Sequence, residues 1–175
     1  MKLAIVGANG RMGRRLVALG EQAQDLEIVG QVDTGAASLD ELGDVDCIID
    51  FSVHEQAPTT AAFCSRTGTA LVLGTTGLTD GERASVEAAS QHIPVVMAPN
   101  FSVGVNLLFA MVGEAAKMLG GEFDIEVVEA HHRRKVDAPS GTAVRLGEVL
   151  ADAIGRTYED AVVCGREGQV GARKA

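Results

Sequence analysis

The stretch that most restricts what this chain can fold into runs from Lys2 to Asp33. Lys2–Val6 is a short apolar run that Gly7 stops, and Gly7-Ala8-Asn9-Gly10-Arg11-Met12-Gly13 follows it. Residues 14–23 then place Leu16, Val17 and Leu19 at helical spacing, and Glu27–Val32 reads as a second strand. That strand ends at Asp33, twenty residues after Gly13. Strand, glycine turn, helix and a second strand closed by an acid form the opening βαβ unit of a dinucleotide-binding domain. Glycines let the backbone approach a pyrophosphate, and the helix N-terminus adds free N–H groups and the positive end of its dipole. Asp33 is placed to accept hydrogen bonds from a ribose diol. The alternative for the same residues is a tight βα turn with no ligand.

The alternation continues. Residues 46–51 read as a third strand, apolar at its centre (Cys47, Ile48, Ile49), as in a parallel sheet buried on both faces. Residues 54–66 read as a helix with Pro58 in its first turn. His54, alone near a strand end, reads as a solvated or capping side chain. A fourth strand, 70–73, runs into Gly74-Thr75-Thr76-Gly77, and the capping-box pattern from Thr79 to Glu82 opens a helix reaching about Ser90. Residues 93–98 are the fifth strand, closed by Pro99-Asn100-Phe101. In an open parallel sheet, ligands lie beyond the carboxyl ends of the strands. The turn Gly7, Ala8, Asn9, Gly10, Arg11, Met12, Gly13 falls at such an end. So do Asp33, the trio Gly74, Thr75, Thr76, and the run Ala98, Pro99, Asn100, Phe101. Together they are the expected cofactor edge. Thr34 stands where NADP-binding relatives of this fold often carry an arginine, and Asp33 would repel a 2′-phosphate. Both tilt the expected cofactor toward NADH, although Arg11 could reach a phosphate and NADPH remains open.

The alternating pattern ends near Phe101, which sets the expected boundary between a dinucleotide-binding domain (1–101) and a second domain (102–175). The second opens with a long apolar helix whose Leu107, Leu108, Met111, Val112, Ala115, Met118 and Leu119 are expected to pack in a core. A strand-like segment, 123–128, then leads into residues 129–143.

That stretch, Glu-Ala-His-His-Arg-Arg-Lys-Val-Asp-Ala-Pro-Ser-Gly-Thr-Ala, holds two of the four histidines beside Arg133, Arg134 and Lys135. It stands out because the chain carries 15 basic against 24 acidic residues, a net charge of −9. Such a balance repels nucleic acid and anionic membrane, so an anion site must be a local patch. Aromatic content of 3% with no Trp also argues against stacking platforms for bases. His131 and Lys135, four residues apart, can flank one bound substrate. Lys135 can donate a proton, and His131 or His132 can polarise or protonate a substrate atom. Ser140-Gly141-Thr142 opens a further helix whose amides and hydroxyls make a carboxylate pocket. The alternative is a solvated basic loop before an N-capped helix. Cys47, Cys64 and Cys164 show no CxxC pair or metal spacing, so no metal is expected. Cys47 and Cys64 read as buried free thiols in a reducing compartment. The apolar run at the N-terminus is too short for a signal peptide or a spanning helix, so a cytoplasmic protein without membrane contact is expected.

Taken together, Gly7-x-x-Gly10-Arg-Met-Gly13, Asp50-Phe51, Gly74-Thr75-Thr76-Gly77, Asn100-Phe101-Ser102-Val103-Gly104-Val105-Asn106 and the Glu129–Ala143 motif resemble the 4-hydroxy-tetrahydrodipicolinate reductase family, also called dihydrodipicolinate reductase. The matches span nearly the whole chain in the family's order. The resemblance implies an α/β fold, a Rossmann-type parallel sheet followed by an α+β substrate-binding domain. It implies hydride transfer from NADH or NADPH to a cyclic dicarboxylate of the diaminopimelate and lysine pathway. His131 would be the general acid/base and Lys135 the proton donor, with His132, Ser140, Gly141 and Thr142 around the substrate carboxylates. Family members continue past the last residue here with further strands that build a homotetramer, so the second domain is expected to be incomplete at its C-terminus. The tail from Cys164 is expected to pack poorly. The competing function is a non-catalytic NAD-binding or redox-sensing module.

Overall fold

The computed structural model describes residues 1–33, 38–133 and 135–171. Thr34, Arg134 and Lys174-Ala175 lie outside the described residues. The chain divides into two compact units, Met1–Ala98 and Pro99–Ala175.

In the first unit, β1 (Lys2–Val6) leads into α1 (Arg11–Gly20), and β2 (Glu27–Val32) follows. A single helical turn at Leu39–Glu41 precedes β3 (Cys47–Asp50). Then come α2 (Ala57–Thr67), β4 (Ala70–Leu73), α3 (Asp80–Ser90) and β5 (Val95–Met97). The five strands form one parallel sheet in the order β2-β1-β3-β4-β5. The period of two along each strand explains its two buried faces. Ala4, Val6, Ile48, Leu71 and Leu73 point into one cluster with Ala57, Ala61 and Cys64 of α2 and Val86 and Ala89 of α3. Leu3 and Ile5 are buried from the other side. Local signals end the helices. Thr79 and Glu82 form the capping box of α3. Gly68, left-handed at φ 72°, closes α2. Burial pushes the Cys64 thiol up to about 12, so it stays protonated. Cys47 is only half-buried, against the expectation of full burial, because its side of β3 is incompletely covered.

In the second unit, α4 (Val103–Leu119) packs against α5 (Gly141–Ala153), which is followed by the short α6 (Tyr158–Ala161). Two-residue strands β6 (Asp137–Ala138) and β7 (Gly168–Gln169) pair antiparallel. The peptide bond between Ala138 and Pro139 is cis. Two expectations fail in this unit. The buried residues of α4 are Phe109, Gly113 and Ala116, whereas Leu107, Leu108, Met111, Met118 and Leu119 are exposed. Apolar residues run all round this helix, so periodicity selects no face. Close approach selects it: a methyl group at Gly113 would lie 3.0 Å from Val149 of α5. Residues 123–128 form no strand, and Phe123, Ile125, Val127 and Val128 are exposed. A β-prone sequence becomes a strand only when it is paired. The tail beyond Cys164 is exposed as expected, yet Gly168–Gln169 is held by β6. By length and composition residues 103–122 could cross a membrane, although one face of α4 is the packing surface for α5.

Candidate functional site

In the first unit, all five strands run the same way, so their carboxyl ends share one edge. The chain leaves β1 for β2 on one side and returns to β3 on the other. The strand order therefore reverses between β1 and β3, where open α/β sheets form their ligand crevice. The turn after β1 is tied to β2, because the N–H groups of Gly7 and Ala8 both donate to the Val32 carbonyl at 2.9 and 3.2 Å. Gly7 has φ 78°, and a Cβ there would meet the Phe51 carbonyl oxygen at 2.7 Å. A methyl group at Gly13 would overlap the Gly7 carbonyl, so α1 can approach the turn only without a side chain at that position. Gly10 is the N-cap of α1 and, having no side chain, makes no side-chain cap bond, so among the described residues the first-turn N–H groups are placed to face a ligand. A cleft of about 700 Å³ opens here, lined by Gly7, Asn9, Gly10, Asp33, Phe51 and Ser52 among others. Asp33 stands at its rim and accepts a hydrogen bond from the Asn9 N–H at 2.7 Å. Arg11 and Met12 are exposed at the start of α1, and Ala8 is buried beneath them.

Asp50 braces the same edge. It is fully buried at the end of β3. Its Oδ1 accepts from the Ser52 N–H at 2.9 Å, the Ser52 hydroxyl at 2.6 Å and the Thr75 hydroxyl at 3.2 Å. The Gly74 N–H donates to the Asp50 carbonyl at 2.9 Å, so Gly74 and Thr75 are held against β3 while Thr76 is exposed. Ala98 ends this unit, its N–H on the Leu73 carbonyl at 3.3 Å. Sequence reasoning missed Asp50 and Ser52 as parts of the edge. A lone acid ending an apolar strand, with a serine two residues on, was the available signal.

Pro99, Asn100 and Phe101 fall in the second unit, where Asn100 is a structural hub. Its Oδ1 accepts from the Ser102 N–H at 2.8 Å, and its Nδ2 donates to the Thr142 hydroxyl at 3.2 Å. The Asn106 amide group donates to the carbonyls of Asn100 and Ser102 at 3.0 and 2.9 Å. The start of α4 and the first turn of α5 are thereby locked together.

His131, His132 and Lys135 lie in the turn before β6, closed by the Lys135 N–H on the His132 carbonyl at 3.2 Å. Both histidines are exposed and Lys135 is half-buried. Ser140 is buried and caps α5, its hydroxyl oxygen accepting from the Ala143 N–H at 3.1 Å. That oxygen is engaged within the protein, so an anion would meet the N–H groups of Gly141 and Thr142 in the first turn of α5. Glu129 joins the two parts. Its Oε1 accepts from the Ser140 N–H at 2.8 Å, and its Oε2 lies 3.2 Å from Nδ1 of His131. Burial opposes the charge on Glu129, but the hydrogen bonds from Ser140 and the nearby His131 and Lys135 prevail and hold its carboxyl below the usual range. Sequence reasoning quoted Glu129 without giving it a role. A cleft of about 450 Å³ borders this site: Glu129 and Ala143 line it together with Val127, Pro139, Leu150 and Tyr158 among others, but His131 and Lys135 do not.

Comparison with known proteins bears on both units. The family model described as "Dihydrodipicolinate reductase, N-terminus" matches residues 1–101, and "Dihydrodipicolinate reductase, C-terminus" matches residues 104–175. A curated 4-hydroxy-tetrahydrodipicolinate reductase from Anaeromyxobacter sp. (strain Fw109-5) is 44% identical over 194 residues, covering 99% of this chain and 72% of that protein. The enzyme of the same name from Hahella chejuensis is 45% identical over 195 residues, covering 98% of this chain and 73% of that protein. Among solved structures, a dipicolinate-bound dihydrodipicolinate reductase from Paenisporosarcina sp. TG-14 superposes with a TM-score of 0.70 at 24% identity. That match covers 89% of this chain and 67% of the other, and it speaks for the fold.

Proposed function

The chain belongs to the dihydrodipicolinate reductase family, and from that premise we propose how its residues carry the reaction. The chain is an NAD(P)H-dependent oxidoreductase, a 4-hydroxy-tetrahydrodipicolinate reductase of lysine and diaminopimelate biosynthesis. The curated relatives are named as reductases, which leaves a non-catalytic NAD-binding module without support. The substrate is a small cyclic dicarboxylate, which reaches tetrahydrodipicolinate through dihydrodipicolinate. The setting is cytoplasmic, as befits a biosynthetic enzyme, and the full-length protein assembles as a homotetramer.

The residues of the first unit fit a dinucleotide. A side chain at Gly7 or Gly13 would fill the cradle, and the N-cap Gly10 supplies no side-chain cap to α1. Gly7 to Gly13 would hold the pyrophosphate and Asp33 the ribose, with Gly74, Thr75, Thr76 and Ala98 completing the set in this unit. NADH is the preferred cofactor, because the Asp33 carboxylate repels a 2′-phosphate. When bound, the reduced nicotinamide supplies the hydride.

The rest is work for the second unit. The N–H groups of Gly141 and Thr142, with His132 nearby, bind substrate carboxylates. Binding neutralises charge that would otherwise oppose hydride addition. Lys135 donates the proton that balances the hydride, and His131 serves as general acid/base. The observation that carries this reading is the pairing of His131 and the first turn of α5 through Glu129. Steady-state oxidation of NADH, with substrate made in situ by the preceding synthase, tests it. The purified protein should consume NADH. His131→Gln and Lys135→Ala should each lower kcat by about 10²–10⁴-fold, the usual contribution of a positioned acid or base. Unchanged turnover in either variant would remove the role assigned to that residue.

A further inference from the structure

We propose that Glu129 is a positioning residue for the reduction, one carboxylate that sets both the tautomer of His131 and the carboxylate-binding start of α5. The inference rests on His131 being the general acid/base. Glu129 reaches two groups that differ in job, Ser140 eleven residues on in sequence and His131 close beside it. Through Oε1 it accepts the Ser140 N–H at 2.8 Å, which fixes the N-cap of α5. Through Oε2 it faces Nδ1 of His131 at 3.2 Å. Among the described residues Oε2 is buried and makes no hydrogen bond, so the histidine is the group placed to satisfy it. A buried carboxylate oxygen without a donor is unfavourable, and that penalty favours a proton on Nδ1. A histidine held with Nδ1–H toward a carboxylate exchanges protons through Nε2, and the carboxylate stabilises the imidazolium that forms. The same carboxylate keeps the first turn of α5 in register with the ring. Glu129 touches neither the substrate nor the cofactor in this scheme and acts through His131 and Ser140.

The test combines a spectrum and kinetics on the protein. In wild type, side-chain 15N NMR of His131, assigned by comparison with His131→Gln, should show the neutral ring protonated at Nδ1. A bare Nδ1 would overturn the proposal without any variant at position 129. Glu129→Gln can still accept from the Ser140 N–H, so it should fold and bind NADH normally. Its kcat should fall about 10–100-fold, as for a lost outer-shell partner, with KM for the dicarboxylate within about twofold of wild type. Glu129→Ala should raise that KM as well. In a His131→Gln background, Glu129→Gln should cost nothing further, because it acts through a residue already removed. A fully additive loss there, or wild-type kcat in Glu129→Gln, would overturn the proposal. Normal turnover in His131→Gln itself would instead overturn the role of His131, so the two failures are distinguishable.

Discussion

The backbone N–H of Asn9 donates to Oδ2 of Asp33 at 2.7 Å, tying the acid that ends β2 to the glycine turn that follows β1. The bond orients the carboxylate at the rim of the cleft, where we propose that it meets the ribose hydroxyls of a dinucleotide's adenosine half. A 2′-phosphate would meet this negative charge instead. Asp33→Asn should therefore shift the NADH-to-NADPH ratio of Kd values toward NADPH by about tenfold, equivalent to about 1.4 kcal/mol. Isothermal titration with both cofactors measures it. An unchanged ratio would mean that Asp33 does not set the preference.

Asp50 leads to a stability prediction. Three donors, the Ser52 N–H, the Ser52 hydroxyl and the Thr75 hydroxyl, converge on one buried oxygen. Asp50→Ala leaves them without that acceptor, at about 1–3 kcal/mol for each donor that stays buried. Urea unfolding should show the loss, and NADH binding should weaken because Ser52 and Thr75 are released. A change within about 0.5 kcal/mol, the range of an ordinary surface substitution, would contradict it.

Gly13→Ala forces a methyl group onto the Gly7 carbonyl and to 2.6 Å from Cα of Ala8. Both neighbours are backbone, so α1 must move away from the turn. Overpacking of this kind costs about 1–3 kcal/mol, and the shift should also weaken NADH binding. Gly81→Ala is the control, since nothing lies within 4 Å of a Cβ there. Equal Tm values for the two variants would show that the close approach is not required.

The pair His54 and Glu82 predicts a pH dependence. Nδ1 of His54 lies 3.0 Å from Oε1 of Glu82, which belongs to the capping box of α3. The hydrogen bond to Glu82 raises the His54 pKa above 6.5. The Thr79 N–H first, and then His54, lower that of Glu82 below 4.5. The histidine's contribution is complete below pH 6.5 and is lost as pH rises through its raised folded value. The glutamate's is complete above pH 4.5 and is lost as pH falls through its lowered folded value. The difference in Tm between wild type and His54→Gln should thus be largest between these two values and shrink on either side. It should also shrink in high salt, because both groups are solvent-accessible. A difference that is flat with pH would show that the pair contributes nothing.

Much of the first unit was legible because each element carried its own signal. Gly7 to Gly13 marked the turn, Asp33 the end of β2, Pro58 the start of α2, and Thr79 with Glu82 the cap of α3. These are local effects, in which a few neighbouring residues decide the backbone. The second unit was harder to read because its structure depends on packing. Seven apolar residues on α4 looked like a core stripe, yet Gly113, with no side chain to count, chose the buried face. Residues 123–128 had the composition of a strand but pair with none of the described residues. His131, Lys135 and the Ser140 cap were visible from spacing and charge. Glu129 was not, since its role depends on a turn that brings Ser140 and His131 to the same carboxylate.

The most direct test of the central claim follows one hydrogen. With NADH deuterated at the transferable position and the dicarboxylate formed in situ, mass spectrometry of the product should find one deuterium gained for each cofactor oxidised. His131→Gln with Lys135→Ala should abolish that gain while leaving NADH binding intact. Cofactor oxidation without deuterium in the dicarboxylate, or full incorporation by the double variant, would contradict hydride transfer assisted by these two residues.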